Sequence, residues 1–225
     1  MAPVERYYFT LQGQLPDILN KHVISVSLET NLTDEQAGLP YSEIVRKIAT
    51  SFQKTGTTSN SDRELLSLAD KIIQALKNRN LPTISASAHP DKGIRFTPYA
   101  NVNPEKDLVF KSNQLADLFD ENTSYLWGIY DGSGLPINLI FADYYRKFIY
   151  DKDYATGEKA VNKLLGQGNT LSNITTVYPD GHFVEYYIAG KDKNAEMDWG
   201  SLRLVFEKKQ GKWFLVGFVH DQWTI

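Results

Sequence analysis

The 225-residue chain contains no cysteine, which removes disulfides, thiolate nucleophiles, thiolate zinc sites and iron–sulfur clusters in one step. It has no apolar run approaching the ~20 residues that a membrane-spanning helix needs. Met1-Ala2-Pro3-Val4-Glu5 also lacks the basic-then-apolar order of a secretory leader. Positive charge is not in excess: 24 Lys and Arg stand against 27 Asp and Glu, a net charge of −3. A protein that replaces the counterions of nucleic acid or of an anionic membrane needs the opposite balance, so neither partner is expected. What remains is the make-up of a packed globule, 42% hydrophobic and 23% charged, which excludes wholesale disorder and fibrous repeats.

The composition changes near residue 81, and all 4 tryptophans lie beyond it. Residues 1–80 read as a mixed α/β segment. Strands are expected at Arg6–Leu11 and His22–Glu29, and an amphipathic helix runs from Ser42 to about Lys54. A second helix opens at Ser61, with Glu64 at the capping-box spacing, and carries Leu65, Leu68, Ala69, Ile72, Ile73 and Leu76 on one face as far as Asn78.

Residues 81–225 read as an α+β domain ending in an antiparallel meander. Strand-like runs occur at Ile94–Thr97, Leu108–Phe110 and Tyr125–Tyr130, and Ser112–Asp120 suits a short helix. Asp131-Gly132-Ser133-Gly134 is a turn, and Ile137–Tyr150 begins apolar and becomes helical. A helical turn is expected over Gly157–Leu165. Strands at Asn173–Tyr178 and Phe183–Ala189 flank the turn Pro179-Asp180-Gly181-His182. Two more, Leu202–Glu207 and Trp213–Val219, form a hairpin. In that hairpin Leu204, Phe206, Phe214, Val216 and Phe218 alternate and are expected to face the core. The fold class is therefore α+β: a helical and mixed N-terminal segment, then a curved antiparallel sheet with packed helices.

Few motifs carry chemistry. His182 and Glu185 have the wrong spacing for a shared metal on one strand face, so no metal is expected. Ser133 between two glycines sits in a hairpin turn rather than on a nucleophile elbow. Gly166-Gln167-Gly168 is too short for a dinucleotide fingerprint, so no cofactor is expected. His220 is the histidine with carboxylates and aromatics at hand. The hairpin register brings Asp198–Gly200 towards the level of His220–Gln222, so Asp198 or Asp221 is expected to orient the ring as an acid–base pair. Trp199 and Trp223 would wall off water, and Tyr130 and Tyr144 are further candidates for binding a small polar ligand.

The segment from His89 to Ile225 resembles an uncharacterised domain of bacterial exported proteins and lipoproteins. The resemblance is carried by His89-Pro90-Asp91-Lys92-Gly93-Ile94-Arg95-Phe96, Trp127-Gly128-Ile129-Tyr130-Asp131-Gly132, Gly168-Asn169-Thr170, Met197-Asp198-Trp199-Gly200 and His220-Asp221-Gln222-Trp223. It implies a bacterial envelope, extracytoplasmic setting and supplies no catalytic residues. Helices followed by a curved antiparallel sheet are also similar in architecture to the cone-shaped fold of nuclear transport factor 2. These readings point to a binding or interaction domain with an aromatic-lined pocket. The alternative is a small-molecule hydrolase, isomerase or dehydratase working through His220.

Overall fold

The computed structural model describes residues 60–191 and 197–224. The expected strands at 6–11 and 22–29 and the helix from Ser42 lie outside these residues. The chain divides between Thr57 and Thr58, and the described residues belong to the second part.

Helix α1, Asn60–Lys77, buries Leu65, Ala69, Ile72, Ile73 and Leu76, the stripe that its periodicity marks. It stops where Arg79 takes a left-handed φ of 51° and Asn80 N–H closes back on the Ala75 carbonyl at 2.8 Å. The Asn80 side chain then accepts from Thr83 N–H at 3.1 Å and starts α2, Leu81–Ser87, with Pro82 in its first turn. The stripe of α1 joins one hydrophobic core with residues drawn from Leu81 to Phe218. Residue 80 lies between α1 and α2, both of which contribute residues to this core.

The principal sheet has six strands in the order β2-β1-β8-β7-β6-β5. They are β1 (Ile94–Thr97), β2 (Leu108–Phe110), β5 (Glu158–Val161), β6 (His182–Ile188), β7 (Gly200–Lys209) and β8 (Lys212–Gln222). The pair β1/β8 is parallel, and the other pairs are antiparallel. Strands β6 to β8 are antiparallel neighbours as the sequence leads one to expect, with β5 rather than residues 173–178 completing the meander, and with its packed helices this curved sheet makes the fold α+β. Strands β3 (Ser124–Ile129) and β4 (Pro136–Ile140) form a separate hairpin through the Asp131–Gly134 turn. Helix α4, Phe141–Phe148, follows β4 directly, and the short helix α3, Ser112–Leu115, follows β2.

Three expectations are corrected. Gly157–Leu165 is not a helical turn: it contains β5, which pairs with β6 from Glu158↔Tyr187 to Val161↔Val184. Residues 173–178 are not a strand but contain the one-turn helix α5, Ile174–Val177, and the side-chain amide of the preceding Asn173 accepts from the Val102 N–H and donates to the Val102 carbonyl. In β8, Val205 pairs with Gly217 but Phe206 with Leu215, so Val216 is the extra residue of a β-bulge. Beyond that bulge the facing is inverted: Leu215 enters the main core, Val216 joins the opposite face, and Phe214 is half-buried.

Both faces of the sheet are covered. On one, Val184, Tyr186, Leu202, Leu204, Phe206, Leu215 and Phe218 meet α1, α4 and Trp127 of β3. On the other, Phe183, Val205, Val216 and Val219 meet Ile174, Tyr178 and Val102.

Candidate functional site

Strand alternation sends adjacent residues of β8 to opposite faces, so His220 and Asp221 occupy different environments. His220 lies on the helix-covered face with 0% exposure, its ring edge-on to Phe148 at 5.7 Å between centroids. Its Nδ1 is 3.0 Å from the Pro98 carbonyl oxygen. A carbonyl only accepts, so Nδ1 is the donor and carries a proton. Its Nε2 faces Asp151 Oδ1 at 3.3 Å, an ion-pair distance without the alignment of a hydrogen bond. The Tyr154 hydroxyl donates to the same Asp151 oxygen at 2.8 Å. Burial pushes the Asp151 carboxyl up, but the His220 ring and the Tyr154 hydroxyl outweigh it and hold the carboxyl below its ordinary range.

The carboxylate beside His220 is thus Asp151, not the expected Asp198 or Asp221. Asp198 is exposed and accepts from the Lys191 N–H at 2.6 Å. Asp221 is buried on the opposite face and accepts from Arg203 Nη2 at 2.8 Å. Sequence spacing could not have found Asp151, because the link between it and β8 is made by the turn after α4, far from the hairpin.

On that opposite face three neighbouring strands bring together Glu185 of β6, Arg203 of β7 and Asp221 of β8. Register pairs Glu185 with Arg203 directly and places Asp221 opposite Ser201. All three side chains are buried, and Arg203 Nη2 lies 3.1 Å from Glu185 Oε1. The same Nη2 donates to the Gly166 carbonyl at 2.8 Å. Glu185 in turn accepts from the Leu165 N–H at 2.6 Å and the Gly166 N–H at 3.2 Å. The segment from Asn162 to Asn173 therefore crosses this face with its main chain bound to buried charges. A side chain at 166 would come within 2.5 Å of Ser201 Oγ and 2.6 Å of the Trp199 ring, which leaves room only for glycine.

The four aromatic candidates do not share a pocket. Tyr144 is fully buried and stacks on Trp127 at 3.8 Å, within a group that includes Phe96 and Phe148. Burial drives its hydroxyl well above the ordinary tyrosine value. Trp199 is buried on the charged face, against the 166–168 loop. Tyr130 is half-buried under Lys147, whose Nζ is 4.4 Å from its ring centre. Trp223 is 40% exposed. A cleft of about 90 Å³ lies elsewhere, between α5 and the start of β6, lined by residues that include Asn162, Tyr178 and His182. Among the described residues no group of three or more acidic or histidine side chains is placed to hold a metal, and no helix is long and apolar enough to cross a membrane.

At one end of the structure three segments are tied together. Asp131 Oδ2 accepts from Thr170 Oγ1 at 2.8 Å and Thr224 Oγ1 at 3.3 Å. Asn169 and Thr224 exchange two further bonds, each 2.8 Å long. Exposed apolar side chains flank this junction in sequence: Ile129 and Leu135 on the hairpin, Leu171 on the crossing segment, and Trp223 beside Thr224.

No family profile matches the chain. A stretch of 108 residues, 47% of this chain, is 28% identical to part of a leucine–tRNA ligase from Flavobacterium psychrophilum, and it spans 11% of that protein's length. Among solved structures, a putative calcium/calmodulin dependent protein kinase II association domain from Xanthomonas campestris is similar at a TM-score of 0.33 and 16% identity, over 73% of this chain and 89% of that one. An NTF2-like protein from Cytophaga hutchinsonii is similar at a TM-score of 0.35 and 10% identity, over 73% of this chain and 99% of that one.

Proposed function

We propose that this chain is a binding or interaction domain in which His220 is structural, and that recognition takes place at the junction around Asp131. One observation carries the reading. The ring of His220 is wholly buried, with one nitrogen bonded to Pro98 and the other against Asp151, so neither nitrogen faces a position that a reacting atom can occupy. By contrast, Ile129, Leu135, Leu171 and Trp223 are exposed and lie within a few residues, in sequence, of the groups hydrogen-bonded at this junction. Single exposed apolar residues are ordinary, but several flanking segments that are tied together support an interaction site there.

The test has two arms. Wild-type protein and His220→Ala are assayed against a panel of esters, amides, hydroxy acids and isomerisable ketones, with folding checked by near-ultraviolet circular dichroism. In parallel, a library of small polar fragments is titrated and followed at the tryptophan indole protons by NMR. The expected results are no turnover by either protein and fragment-induced shifts at Trp223 that leave Trp127 unmoved. Turnover by the wild type that a folded His220→Ala variant loses would establish the enzyme alternative and overturn this reading.

A further inference from the structure

The buried charges on the strap-covered face do not cancel: Glu185 and Asp221 present two carboxylates to the single guanidinium of Arg203. All three side chains are at most 3% exposed, and every contact that Arg203 makes with them and with Gly166 uses Nη2, leaving Nη1 and Nε without a partner. The remaining polar groups near Asp221 do not supply a second cation on that face. His220 lies behind the strand and is engaged by Asp151. Tyr154, in the turn after α4, is neutral and donates to Asp151, while Ser201 Oγ on β7 has no partner. Lys152 packs at Gly200, on the His220 side of β7. A buried trio with charges −1, −1 and +1 carries one uncompensated negative charge, which a low-dielectric site resists unless a proton is taken up.

From this geometry we infer that the segment 162–173 is a strap latched to the sheet by a one-proton switch, in which the Glu185–Arg203–Asp221 cluster grips Leu165 and Gly166 more firmly when it holds a proton than when it does not. Asp221 is the member that takes the proton, since its carboxyl is raised above the ordinary range, by burial first, against the opposing pull of Arg203. Glu185 remains the acceptor for the two strap N–H groups. The sign follows from linkage: a carboxyl whose affinity for a proton is raised in the closed state favours closure at low pH. That preference is lost as pH rises through its closed-state value. Opening would uncover Trp199 and the charged face, so the switch couples acidity to concealment of that surface.

Amide exchange of the Leu165 and Gly166 N–H groups, corrected for intrinsic rates, measures strap opening at pH 4, just above the ordinary carboxyl value of 3.8, and at pH 8. Asn80 N–H, held by the Ala75 carbonyl at 2.8 Å at the end of α1 and away from the strap, is the internal reference. The expected result is a larger opening constant at pH 8, by tenfold for each pK unit of the Asp221 shift that is traversed, with no matching change at Asn80. Asp221→Asn should abolish the difference. Glu185→Gln, which removes the second carboxylate but leaves Asp221 buried beside Arg203, should reduce it and serves if the first variant fails to fold. Equal opening at both pH values in the wild type overturns the proposal, as does either folded variant keeping the wild-type dependence.

Discussion

His220 carries the hallmarks of an acid–base catalyst, and the structure places it at a junction of the chain. Its ring joins three separated parts of the chain: β8, the Pro98 carbonyl after β1, and Asp151 after α4. Because the ionised form of Asp151 is favoured in the folded state, its contribution to stability is present above its unfolded value near 3.8 and is lost as pH falls through the lower folded value. Asp151→Asn should therefore destabilise the protein at pH 7 by about 1–3 kcal/mol, the range for a charged buried contact. The difference between variant and wild type should shrink progressively as pH falls below 3.8 and through the lower folded value. Thermal melts of both proteins at pH 7 and through a series of acid pH values check this. An undiminished difference in acid would mean that packing, not charge, is what the substitution removes.

At the scale of elements, the bulge in β8 is the feature with the largest effect on which side chains are core. It moves Leu215 into the main core and leaves Phe214 half-buried against His89, 5.8 Å between ring centres. Leu215→Ala is expected to cost about 2–5 kcal/mol, and Phe214→Ala no more than about 1–2 kcal/mol, as for partial loss of a half-buried ring. Urea denaturation of the pair decides between this arrangement and unbroken alternation, which demands the reverse ranking.

The helices and the hairpin ends could be read directly because their signals are local. Residues Leu65 to Leu76 repeat at helical spacing, Asp131–Gly134 carries turn glycines, and Lys208–Lys212 separates two apolar runs. The bulge, the strand nature of β5 and the helical turn α5 have no such signal. Glu158-Lys159-Ala160-Val161 has no strand composition and is a strand because β6 offers it an open edge. Ile174–Val177 is rich in residues that favour strands, yet tertiary bonds from Asn173 to Val102 hold it out of the sheet. The charged trio escaped for the same reason: its members are ordinary surface residue types until register places them side by side.

For the molecule as a whole, α1 is a structural necessity rather than a neighbour. Ile72 is entirely buried in the core that includes sheet residues Leu202, Leu204 and Phe206. Ile72→Ala should lower global stability by about 2–5 kcal/mol, and the whole of residues 60–224 should unfold in a single step, with near- and far-ultraviolet circular dichroism coincident. Two transitions, with only the far-ultraviolet one moved by the substitution, would show α1 to be an independent unit.

The position of β8 has a consequence for how the protein is made. This strand, ending at Gln222, lies in the interior of the sheet between β1 and β7. Its parallel partner β1 precedes it by about 120 residues, a pairing of the long-range kind that slows folding. During synthesis, the ribosome has therefore produced every other strand of the sheet while its central slot is still empty. For that interval β1 and β7 both present open edges, the condition under which nascent chains pair with one another. Insertion of β8 closes both of these edges at once, so emergence of β8 from the exit tunnel, rather than collapse of the earlier elements, sets the moment at which the middle of the sheet stops offering strands to neighbouring chains.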